Sequence, residues 1–251
     1  MAIALFLAIV LIGSYVQAVA GFAMGLLIIA VAATTTLYDL EVTAATVSLL
    51  SLVNILLSLR GHYHLVQGRT LRLLALGQLP AIALGIWLLG VLNARATAAL
   101  QLLLAVFLIG GSAAMMMRPM PRAEPSGTLS TLSAGLAGGL LGGLFAASGP
   151  VMGWFCYRQP LPVTEIRATL LGCFAITTLA RTLMVAATGR LSIDVAVMAG
   201  VGLPAVLLGT WIGTRYPPAI GESQMRRLAF GALLAMGAWI GVAALQSISK
   251  A

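Results

Sequence analysis

Two stretches hold residue types that could handle an anion inside an apolar chain: Arg181 among Thr177, Thr178 and Thr182, and the glycine-rich run Gly135 to Pro150. An ionisable group at membrane depth is costly and is by default a functional hypothesis. A guanidinium presents a planar fork that matches an oxyanion, and neighbouring hydroxyls add neutral donors. Arg181, Thr177 and Thr178 are therefore substrate-binding candidates. The competing reading has Arg181 snorkelling to the interface near Gly189. The second stretch ends in Ser148-Gly149-Pro150. Proline removes a backbone donor there, and glycine permits conformations that other residues avoid. A helix break at this depth survives only where it is buried in protein or lines a watery cavity. A half-helix starting at Gly149 would turn backbone N–H groups and the positive end of its dipole toward an oxyanion. Ser148, Gly149 and Pro150 join the candidate site on that ground.

The elements that must position these groups follow from composition. The 251 residues are 61% hydrophobic and 8% charged, with mean hydropathy +1.06. A soluble domain carries about 25% charged residues, so this chain is an all-α integral membrane protein whose solvent is the lipid bilayer. The net charge of +8 is scattered singly through short connections, as in loops that face cytoplasm and lipid headgroups rather than nucleic acid. Cys156 and Cys173 lie in apolar surroundings without metal-ligand spacing and read as buried packing residues. No cofactor and no metal are expected. Gln17-Ala18-Val19-Ala20 faintly resembles a cleavage site, but no Lys or Arg precedes the apolar run, so residues from Met1 onward are read as the first span.

Charges and prolines divide the chain into eight apolar segments: 1–38, 42–59, 73–92, 96–117, 129–157, 168–188, 195–214 and 228–249. Each is long enough for the ~20 residues that cross a bilayer. The chain also repeats itself. Leu79-Pro80-Ala81-Ile82-Ala83-Leu84-Gly85-Ile86-Trp87 reads against Leu203-Pro204-Ala205-Val206-Leu207-Leu208-Gly209-Thr210-Trp211, and the same offset pairs Glu41 with Glu165 and Gly25 with Gly149. The expected architecture is eight transmembrane helices as two four-helix repeats of parallel topology. Residues 1–117 form the first, 118–128 a linker and 129–251 the second. The first and fifth helices are overlong and interrupted by glycine, at Gly21 to Gly25 and at Gly142 to Pro150. Matching interruptions of this kind point to a transporter site, so Gly21 and Gly25 are candidates beside Ser148, Gly149 and Pro150.

The Gly142-Gly143 and Ser148-Gly149-Pro150 motif, Pro162, Arg167-Ala168-Thr169, and Gly189-Arg190 opening a span with Pro204 and Gly209 resemble the sulfite exporter TauE/SafE family, also called the toluene-sulfonate uptake permeases. Gly21 to Gly25, Pro80 and Gly85 are the first-half counterparts, with Leu26 where the second half has Pro150. The resemblance covers essentially the whole chain and implies an inner- or plasma-membrane carrier of a sulfur-containing anion.

Arg167 and Glu165 open the sixth segment and read either as an interface pair or as a gating and anion-attracting charge. Asn54 and Gln78 read first as interhelical hydrogen bonds and second as ligands. His62 and His64 sit in a basic connection. With eight crossings, seven basic residues fall on one face and six on the other, which orients nothing. The expectation is a secondary transporter working by alternating access, with proton coupling and a homodimer left open. The alternatives are an anion channel, a carrier of a non-sulfur organic anion and a non-transporting scaffold subunit. An enzyme is not expected, because no intramembrane Asp, Glu or His offers a catalytic pair.

Overall fold

The computed structural model describes residues 2–35, 39–95, 97–117, 121–189, 191–216 and 222–249, and its regular elements are all helical. They are α1 (Ala2–Ala20), α2 (Met24–Thr35), α3 (Leu40–Leu59), α4 (Gly68–Arg95), α5 (Thr97–Met116), α6 (Thr128–Phe145), α7 (Gly149–Tyr157), α8 (Val163–Ala187), α9 (Ile193–Arg215) and α10 (Glu222–Ser249). Seven of them, α1, α3, α4, α5, α6, α8 and α9, are long and apolar enough to cross a membrane. In α10 the apolar part is Leu233–Gln246. Side chains cap the polar ends: Asp39 accepts from the Glu41 N–H at the start of α3, and Ser192 accepts from the Val195 N–H at the start of α9, which satisfies first-turn donors that lack a partner inside the helix.

The two glycine-rich segments turn the chain back on itself. After α1 the backbone passes through positive φ at Gly21 (82°) and Ala23 (96°). Met24 then lies against Gly13, and its N–H donates to Gln17 Oε1 at 3.3 Å. In the second half Ala146 adopts a left-handed conformation (φ 52°) after α6, and Met152 of α7 folds back onto Gly138. A continuous helix would hold these pairs more than 15 Å apart at ~1.5 Å per residue. Each turn is tied to the far half by an aromatic stack, Phe22 on Phe230 of α10 and Phe145 on Phe107 of α5, with centroids 5.2 and 6.0 Å apart.

Cross-contacts fix the helix directions. Asn54 of α3 bonds the Ser14 carbonyl of α1, and Leu11 to Ala18 of α1 lie along Gly209 and Gly213 of α9 in the same order. These three helices run together, from the face where α1 begins (face I) to the face where α3 ends (face II). Helices α4 and α6 also run together, through close backbone contact of Gly77 with Gly135 and of Gly85 with Gly143. By contrast α8 opposes α3: Arg181 reaches Ala44, whereas Thr177 and Phe174 share a cavity with Ser51 and Ile55. The expectation of parallel-topology halves is thus corrected, because α3 and α8, the first long helices after each turn, point in opposite directions. Each glycine-rich segment was counted as one crossing. Instead α2 and α7 each fold back along the helix before them, so each half holds a helical hairpin followed by three long helices.

Candidate functional site

The two turns meet in the middle of the bundle. A Cβ on Gly25 would lie 2.6 Å from the Ala146 carbonyl oxygen, and one on Gly149 would lie 3.6 Å from Leu26. This close approach brings together the N-termini of α2 and α7, each with first-turn N–H groups that have no partner inside their own helix. Between them is a cavity of about 30 Å³, room for roughly two waters. Its walls are the first turn (Ala23, Gly25, Leu26), the second turn (Ala146 to Gly149), α3 (Ser51, Ile55), α8 (Phe174, Thr177, Thr178) and Gln17 of α1. No carboxylate and no cation is among these lining residues. A negative ligand would therefore meet helix dipoles, hydroxyls and one amide rather than an ion pair.

Five of the residues singled out in the sequence line this cavity: Ser148, Gly149, Thr177, Thr178 and Gly25. Thr177 and Thr178 donate to the carbonyls of Cys173 and Phe174, one turn back, so each hydroxyl proton is engaged within α8. Ser148 stands at the α7 N-cap, where its carbonyl accepts the Met152 N–H but its side chain makes no cap bond, and Pro150 packs behind it on Gly111 of α5.

Arg181 does not line the cavity. It is 1% exposed, and its Nε donates to the Gly143 carbonyl at 3.2 Å while Nη1 donates to the Ala44 carbonyl at 3.3 Å. Ser48 Oγ is 3.5 Å from the same Nη1. The guanidinium ties α8 to the end of α6 and the start of α3, on the face I side of the cavity. Beyond it, Ala45, Ile82, Ile86, Val185 and Val195 form an apolar plug. Asn54 is fully buried between helices, donating to Ser14 O and to Thr210 Oγ1 at 2.7 Å. That geometry is an interhelical clamp joining α1, α3 and α9.

Toward face II the structure is hollow. A vestibule of about 300 Å³ is lined by Ala18, Val19, Ser58, His62, Leu65, Thr164, Arg167 and residues of α8 and α9. Arg167 turns away from Glu165, which instead accepts from Gln67 Nε2. One Arg167 nitrogen donates to the Ala18 carbonyl at 3.2 Å, and its stem lies against Gly21. The cation thus stands between the vestibule and the first turn. Gln17, Ala23, Ser51 and the apolar wall of Ile55 and Phe174 are the cavity-lining residues that sequence reasoning missed. Gln17 was visible as an amide just before the first glycine break, but nothing in the sequence says that the chain turns back across it.

Apolar helices packed around paired helix termini describe a multi-pass integral membrane transporter, not an enzyme. The chain belongs to the sulfite exporter TauE/SafE family, whose model matches residues 5–240. It is 35% identical over 235 residues to the "Probable sulfite/organosulfonate exporter TauE" of Cupriavidus necator, covering 94% of this chain and 92% of that protein. No solved structure matches the chain significantly. Its place is the plasma membrane.

Proposed function

We propose that the protein exports sulfite or a small organosulfonate by alternating access, with the cargo held between the N-termini of α2 and α7. The observation that carries this reading is the meeting of two half-helix N-termini at a cavity with no acidic lining. Ser148, Gly149, Gly25, Thr177 and Thr178 contact the anion in this reading, whereas Pro150 and Gly21 shape the turns. The halves, residues 1–117 and 129–251 about the 118–128 linker, are inverted repeats related by an axis in the membrane plane. The pairing of α1 with α9 and of α4 with α6 supports that symmetry, since each is the other's counterpart.

Inversion also orients the chain. With each glycine-rich segment returning to its own face, the α3–α4, α5–α6, α7–α8 and α9–α10 connections all lie on face II. These connections and the helix ends beside them carry Arg60, Arg69, Arg72, Arg122, Arg158, Arg167, Arg215, Arg226 and Arg227, against Arg95 alone on face I among the described residues. By the positive-inside rule face II is cytoplasmic. The vestibule then opens to the cytoplasm, where an exporter loads, and Arg167 draws the anion in. Proton coupling belongs to the same proposal.

Inside-out vesicles containing the protein should take up radiolabelled sulfite with saturation. Uptake should fall when a proton gradient is collapsed. Flux that stays linear in sulfite would point to a channel, and no flux of sulfite or of a short sulfonate would end this reading.

A further inference from the structure

Gln17 is 4% exposed and lies on the wall of the cavity. Its Oε1 accepts the Met24 N–H at 3.3 Å. An N–H can donate only to the amide oxygen, so this bond fixes which end of the amide is which. The other end, Nε2, is buried and has no hydrogen-bond partner. A buried amide donor left without a partner is costly, and such orphans are rare in folded proteins. The offset that pairs Gly25 with Gly149 pairs Gln17 with Leu141, so this amide has no counterpart in the second half and is not a symmetric packing device. Ser51, Ser148, Thr177 and Thr178 share the cavity with it, and its walls present no carboxylate that could hold an ammonium group.

We infer that Gln17 is a substrate-contacting, specificity-determining residue whose Nε2 donates to an oxygen of a bound oxyanion. The inference rests on the cavity being the transport site. It further assigns the cargo to small oxyanions without an ammonium group, because a zwitterionic aminosulfonate would bury its cation unpaired. Gln17 does two jobs: Oε1 caps α2, and Nε2 faces the ligand.

Gln17→Glu keeps an acceptor for the Met24 N–H and replaces the amide donor with a carboxylate that repels an oxyanion. Gln17→Met removes both functions at similar volume. The experiment measures saturable sulfite uptake into inside-out vesicles for wild type, both variants and Thr214→Ser, a conservative change in the vestibule. Thermal melting of each in detergent with sulfite, sulfate, thiosulfate and taurine accompanies it. Expected is a KM for sulfite raised roughly ten- to a hundredfold in Gln17→Met, the loss of one hydrogen bond to a charged group, and raised at least as far in Gln17→Glu, where a carboxylate also faces the anion. Taurine should stabilise no form. A Gln17→Glu variant with unchanged KM and an unchanged sulfite-induced shift would reduce Gln17 to a helix cap and overturn the inference. If wild type responds to another oxyanion but not to sulfite, the substrate of the proposed function falls while Gln17 is judged on that oxyanion. If no oxyanion stabilises or is carried by wild type, both fall together.

Discussion

The central cavity has one arginine on each side, Arg181 toward face I and Arg167 toward face II, and the two are used in opposite ways. On face I, Arg181 is spent on protein: its donors go to the Gly143 and Ala44 carbonyls, and the plug of Ile82, Ile86, Val185 and Val195 lies beyond it. On face II, Arg167 keeps a single bond to Ala18 and borders a vestibule of about 300 Å³. One end is latched, the other hollow. What the difference teaches is that an arginine near a transport site is defined by what its N–H groups find. A guanidinium surrounded by carbonyls locks helices together, and one facing an aqueous cavity attracts anions. In the proposed alternating-access reading the two ends are equivalent in architecture, and their difference corresponds to a state open toward face II.

The largest effect expected is at the latched end. Gly143→Leu would drive a side chain into the Ile82 carbonyl, where the backbones of α4 and α6 touch. Overpacking of this kind costs about 1–3 kcal/mol or more. The variant should lose monodispersity on gel filtration or melt well below wild type, and an unchanged melting curve would mean that the two backbones are not in contact. Next, Arg181→Met should unlatch face I. With Cys156 and Cys173 changed to Ala and a probe at Ala45→Cys, labelling by an impermeant maleimide should accelerate roughly tenfold, equivalent to about 1.4 kcal/mol of latch. Unchanged labelling alongside abolished sulfite binding would return Arg181 to the role of ligand. The smallest change is expected from Arg167→Ala. Its apparent KM should rise about three- to tenfold at low salt and converge with wild type at high salt, because exposed charges are screened. Arg167→Lys should keep most of the salt dependence. A fall in saturated turnover with unchanged KM would instead place Arg167 in the gate.

Much of this site was legible before any coordinates. Ser148, Gly149 and Gly25 announced themselves as backbone breaks in charge-free sequence, and Thr177 and Thr178 as hydroxyls beside a buried cation; all five line the cavity. Arg181 was legible as buried but not as directed away. It lies one turn beyond Thr177 on α8, ~5.4 Å along the axis, and that distance moves its guanidinium past the cavity to the end of α6. Gln17 gave no signal, because an amide near a helix end becomes a ligand only when another segment folds back across it.

Composition and charge placement alone determined that the chain lives in a bilayer, that it crosses as helices and where those helices are interrupted, since apolar length and backbone permissiveness are local properties of a sequence. Whether an interrupted helix continues through the membrane or returns is not local. Gly21 to Ala23 and Ala146 to Ser148 allow either path, and packing against α3, α8, α5 and α10 selects the return. From that one tertiary decision follow the opposed directions of α3 and α8 and the meeting of the α2 and α7 N-termini, on which the proposed inversion and anion site rest.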